Sequence, residues 1–293
     1  MATAAPASEP EVAPTIGRVP DTFSQALLLS RYQLRDYLRS RRFILMMAFV
    51  AAIGAILTFV LSYYHGSDTV QGLISSGNSF YGGLWANGGP VVVVFAGIIF
   101  GGDAIAGEFQ NKTGYFLMGL PIRRATVYVG KFLAALAASL VAVIVYLAIL
   151  LANGAYYLHW NAFPLSLGES FAITILYLLA LLGSVFLFSS MFKNSLYAVL
   201  VVAILFLFGF SILEDLITVL VKIEPWFVIT YAQSVIGYPF LSTLPAHTST
   251  IIVGRRSFTS YNATYPEGLA IMAGYFLLTA IAGLFFFERE EFT

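Results

Sequence analysis

The chain has 293 residues, 59% hydrophobic and only 10% charged, with zero formal net charge and a mean hydropathy of +0.85. A soluble domain is about 25% charged, so this composition excludes an ordinary water-facing surface. Several runs reach the roughly 20 apolar residues that carry a helix across a bilayer, which defines an all-α polytopic membrane protein. A balanced charge gives no argument for nucleic acid, and the absence of cysteine excludes disulfides, thiolate metal sites and iron–sulfur clusters.

Residues 1–21 carry Pro6, Pro10, Pro14 and Pro20 among Ala, Glu and Ser, with neither a basic start nor an apolar core. They read as a flexible tail rather than a signal peptide. Residues 22–293 read as one membrane domain. Its first element, residues 22–42, is an amphipathic helix. Phe23, Ala26, Leu27, Leu34, Tyr37 and Leu38 share one sector, with Arg31, Arg35, Arg39 and Arg42 beside it. That pattern predicts an in-plane interfacial helix whose arginines reach lipid phosphates; the alternative is a helix packed on its own protein.

Six spans follow, at about 43–64, 90–107, 127–153, 170–190, 195–213 and 268–287. With the N-terminus inside, twelve Lys and Arg fall on the inner side and only Lys222, Arg255 and Arg256 on the outer side. The positive-inside bias therefore puts both termini in the cytoplasm of a cell membrane. The Asn262-Ala-Thr264 sequon falls outside and is a candidate glycosylation site. Residues 214–267 are broken by Pro225, Gly237, Pro239 and Pro245. They read as re-entrant helices dipping into the outer leaflet before the last span, with Glu214-Asp215 capping span 5.

Chemistry is sparse. Gly130-Lys131 is followed by Phe132 and position 125 is Ala, so there is no phosphate loop for ATP. His65, His159 and His247 fall in outer loops and read as solvated, so no metal or haem ligand set is expected. Buried charges mark the pathways of ion-coupled carriers, and the spans carry almost none. No nucleophile–base or metal-ligand constellation converges, so catalytic residues and cofactors are not expected on this chain.

The inner loop between spans 2 and 3 stands apart. Asp103 and Glu108 end span 2, Lys112-Thr113 opens a short apolar stretch through Leu117, Leu120-Pro121 stops it, and Arg123-Arg124 lead into span 3. This is a short amphipathic segment able to fill a groove on a partner, with charges setting register. On charge alone, a solvated inner loop obeying the positive-inside rule is the better explanation.

The order Asp103, Ile105, Glu108, Lys112, Thr113, Leu117, Pro121, Arg124, then Gly130-Lys131 resembles the membrane subunits of ABC-type exporters of the second permease class, the type V exporters. The resemblance covers about residues 22–291, with Gly114, Tyr115 and Arg123 departing from the pattern. It implies a permease subunit whose 103–124 loop is a coupling helix seated in a separate cytoplasmic ATPase. That partner would bind ATP and Mg, and a second permease chain, identical or different, would complete the transporter. It also implies that spans 2 and 5 lie near a dimer interface or pathway, for which Gly97, Gly101, Tyr197, Phe206 and Phe210 are the candidate residues. The competing reading is a membrane anchor or assembly factor that recruits a cytoplasmic protein without transport.

Overall fold

A computed structural model describes residues 21–112, 122–159, 164–253 and 256–289. Helix α1 (Thr22–Arg39) starts on Asp21, whose side chain accepts from the Thr22 amide. The Ser40 hydroxyl donates to Tyr37 O at 2.7 Å and accepts from Phe43 N at 3.2 Å, so one residue ends α1 and caps α2 (Arg41–Tyr63). A short α3 (Asp68–Leu73) precedes α4 (Gly77–Gly101), which continues through a turn at 102–105 into α5 (Ala106–Gln110). Then come α6 (Arg124–Leu158), α7 (Leu165–Met191) and α8 (Ser195–Val221). A short α9 (Ile229–Gln233) runs into a 3-10 turn at Ser234–Phe240, followed by the hairpin β1 (Thr248–Val253) and β2 (Arg256–Tyr261) and by α10 (Tyr265–Arg289).

Six of these helices are long and apolar enough to cross a membrane. Span 2 begins at Gly77 rather than near residue 90, because Pro90 lies inside α4 instead of starting it. A helix tolerates an interior proline where neighbouring helices cover the freed backbone, and Pro90 is buried. Span 5 runs to Val221, so Glu214 and Asp215 sit within the helix and do not cap it. Thr230 Oγ1 donates to Glu214 Oε2 at 2.5 Å, giving that carboxylate a polar partner.

The centre of the bundle is α4, of whose apolar window 78% is buried, against 22% for α2 and 17% for α8. It lies between α6 and α7, while α10 packs along α7. Trp85, Tyr81, Tyr146, Tyr177 and Phe186 are fully buried there. The polar atoms of Trp85, Tyr146 and Tyr177 find partners, as a dry interior demands. The Trp85 indole donates to Ser170 Oγ at 3.1 Å, and the Ser170 hydroxyl donates in turn to Ile236 O at 2.5 Å. Tyr146 donates to Leu84 O at 3.0 Å and Tyr177 to Gln233 Oε1 at 3.0 Å.

These bonds also explain the segment before the last span. Val228, Ile229, Tyr231, Ala232, Val235 and Ile236 are buried against the end of the bundle. The segment expected to form re-entrant helices consists of one short helix, a 3-10 turn packed on α7 and α4, and an antiparallel hairpin pairing Thr248 with Tyr261. Proline and glycine break the helical hydrogen-bond ladder here, and alternating residues of high β-propensity take over at 248–261.

Candidate functional site

At one end of the bundle α4 stops and the chain turns through Gly102–Ile105 into α5. Such a turn leaves backbone N–H groups without helical acceptors. Ser189, fully buried near the end of α7, answers two of them: its Oγ accepts from Ile105 N and Ala106 N, each at 3.1 Å. A second support comes from α6. Lys131 is 3% exposed, and its ammonium donates to Ala104 O at 2.8 Å and to Glu108 Oε1 at 2.5 Å. A third comes from α2, where Arg42 pairs with Asp103. Gln110 Oε1 then accepts from Ser195 N at 2.9 Å, tying α5 to the start of α8.

Magnitudes rank these supports. The Arg42 side chain is 51% exposed, and pairs of that kind contribute about 0–1 kcal/mol. The Lys131–Glu108 pair is 4% and 18% exposed, so breaking it removes the counter-charge of a largely desolvated group. The turn is therefore fixed mainly by Lys131 and Ser189.

The Gly130-Lys131 dipeptide acquires a physical reason. A Cβ at Gly130 would sit 2.9 Å from Leu29 Cδ2 and 3.1 Å from Ala26 O. Glycine thus lets α1 cross α6 closely, one residue before the lysine that holds the turn. Tyr37 of α1 is buried beside the same network. Burial, and then the Asp103 carboxylate, push its hydroxyl well above the ordinary range, so it stays protonated. A polar cleft of about 280 Å³ separates α1 from the turn, lined by Gln33, Asp36, Tyr37, Asp103, Glu108 and Lys131.

The loop residues fall on both sides of what is described. Asp103, Glu108, Lys112, Arg123 and Arg124 are described, whereas Thr113, Leu117, Leu120 and Pro121 lie outside the described residues. Lys112 ends α5 in the left-handed region at φ 58°, a common helix stop. Arg123 is exposed, and Arg124 Nη1 donates to Glu288 O at 2.8 Å, joining the loop's exit to the end of α10. Phe109 stacks edge-on against Phe287 of the same helix end. Arg42, Tyr37, Lys131, Ser189 and Gln110 were not among the residues expected from sequence to form this site. Lys131, a cation four residues inside the predicted start of an apolar span, was the available signal.

The candidate pathway residues separate. Gly97 and Gly101 face α7 of the same chain: a Cβ at Gly97 would lie 2.0 Å from Leu181 Cδ2, and one at Gly101 2.9 Å from Val185 Cγ1. The close approach they permit is made within the chain, between α4 and α7. Phe206 is also buried, edge-on to Phe210 at 5.0 Å. Tyr197 is exposed, together with Leu196, Leu200, Ile204 and Phe208 on the same helix. That helix contains two π turns, at Leu205–Gly209 and Ile217–Val221, and such turns are frequent at functional positions. Beside it a mostly apolar groove of about 460 Å³ opens between α2, α4 and α8, ending at Arg42, Asp103 and Gln110. Asn262 is already engaged, its Nδ2 donating to Ala246 O at 2.9 Å.

Six spans, a central α4, and a rigidly mounted polar turn at one end define a multi-pass helical membrane protein. The model of the ABC-2 family transporter proteins matches residues 27–292, and the chain belongs to that family. It is the transmembrane subunit of an ATP-binding-cassette transporter, a class that works with an ABC ATPase. No curated protein matches the chain.

Proposed function

We propose that this chain is the permease of an exporter, and that the segment from Asp103 to Arg124 is where a separate cytoplasmic ATPase, carrying ATP and Mg, drives it. One observation carries the reading. The turn that launches the loop is fastened to α2, α6 and α7 by Arg42, Lys131 and Ser189, and the loop's exit is fastened to α10 by Arg124. A force applied at 113–121 would reach four spans through short polar links rather than being lost in a slack loop. In this reading that end of the bundle is cytoplasmic, as are both termini. Helix α1 lies in the interface plane, its exposed Phe23, Leu27, Tyr32 and Leu38 beside Arg31, Arg35 and Arg39. A second permease chain covers the exposed faces of α2 and α8, with Tyr197 at or near the pathway.

Reconstitution of the chain with its cognate ATPase tests this. Arg123→Glu, and separately the pair Leu120→Ala and Pro121→Ala, are expected to lower substrate-stimulated ATP turnover and transport at least tenfold while the variants keep the wild-type melting temperature. Unchanged turnover and transport in both would overturn the coupling role. Binding of the ATPase without any transport would instead favour an anchoring protein.

A further inference from the structure

At the opposite end of the bundle three separate segments converge. The loop after α8 brings Glu224, the loop before β1 brings His247, and the first turn of α10 brings Glu267. One ligand atom from each lies within 4.8 Å of the others. His247 Nε2 is 3.3 Å from Glu224 Oε2. Adjacent carboxylates repel unless a positive charge is shared between them.

Groups outside the trio aim each of its members. His247 Nδ1 lies 3.0 Å from the backbone oxygen of Asn262. A carbonyl only accepts, so Nδ1 carries the hydrogen, and Nε2 is the ring nitrogen left for an ion on the carboxylate side. This arrangement, with a carbonyl holding the far nitrogen, is how metal-bound histidines are oriented. The Tyr231 hydroxyl donates to Glu224 Oε1 at 2.5 Å, leaving Oε2 on the histidine side. Glu267 Oε2 accepts from Thr264 N at 3.1 Å and from Thr264 Oγ1 at 3.2 Å.

We infer that Glu224, His247 and Glu267 form a binding site for a divalent transition ion of the zinc type. One imidazole nitrogen with two carboxylate oxygens suits zinc, whereas calcium takes 6–8 oxygen ligands. Ligands held about 2.0–2.2 Å from one ion at tetrahedral angles stand about 3.4 Å apart. The 3.3 Å between His247 Nε2 and Glu224 Oε2 matches that spacing. Three protein ligands leave the fourth position to water. A bound ion offsets the two carboxylates and clasps the end of α8, the base of the hairpin and the start of α10 together. The site does not depend on any ATPase contact.

The test uses the full chain in detergent, stripped with a chelator and dialysed against Zn²⁺ alone. One zinc per chain is expected, and Co²⁺ in its place should give the intense visible bands of tetrahedral coordination. His247→Ala should weaken zinc binding at least thirtyfold and remove the bands. Tyr231→Phe, which disturbs only the orientation of Glu224, should weaken it about tenfold. The metal-free melting temperature of both variants should equal that of the metal-free wild type, which separates ligand loss from misfolding. No retained zinc in the wild type, the weak spectrum of octahedral cobalt, or undiminished binding in His247→Ala would overturn the site.

Discussion

Replacing Lys131 with methionine is expected to lower the stability of the purified chain by about 3–5 kcal/mol, the cost of removing one member of a buried ion pair. Lys131 Nζ holds both Ala104 O and Glu108 Oε1, and its removal takes this ammonium from a partly buried carboxylate and a carbonyl. Glu108→Leu added to Lys131→Met removes the carboxylate as well. Apolar replacement of both partners of such a pair is often close to neutral, so the double variant should recover more than half of the lost stability. Reversible unfolding in mixed detergent measures this cycle. Strictly additive losses would mean that the two side chains do not act as a pair. ATPase-coupled transport should stay low in the double variant even with stability restored, because the turn at 102–105 has lost its tie to α6.

Ser189→Ala is the second large effect. It removes the acceptor shared by Ile105 N and Ala106 N, both on buried residues. Each orphaned donor costs about 1–3 kcal/mol. Ser190→Ala, one residue on, serves as the control. The Ser190 hydroxyl donates to Leu187 O at 2.7 Å within its own helix, and its loss should cost well under half as much. Equal melting temperatures for the two variants would show that Ser189 does not hold the turn. Hydrogen exchange gives an independent readout, since the Ile105 and Ala106 amides should exchange faster in Ser189→Ala alone.

The two faces of α1 show how far a periodic pattern reaches. Its amphipathic order is plain from residue spacing, and the helix spans Thr22–Arg39. Spacing does not say what the apolar sector touches. Ala26 and Tyr37 are buried against the protein, while Phe23, Leu27 and Leu38 remain exposed. Gly97 and Gly101 teach the same lesson: small residues four apart announce a close helix contact, but not whether the partner belongs to the same chain.

The sequence by itself determined the class of this protein, the number of its spans and the polar hinge between the second and third. Each of these depends on local composition, since about 20 apolar residues in a row have few other uses and a charged break between two such runs must lie at a membrane edge. Tertiary structure alone decided how the hinge is held and where the second polar cluster forms. Arg42 meets Asp103 across 61 positions, Lys131 meets Glu108 across 23, and Ser189 meets Ile105 across 84. His247, which looks like a solvated loop residue in sequence, reaches Glu224 and Glu267 only because the hairpin and the packed 3-10 turn fold its loop back over the start of α10. Buried charges take whichever partner helix packing brings within hydrogen-bond reach. Packing is fixed by long-range fits such as Gly130 beneath α1 and Gly97 against Leu181, which no window along the chain contains.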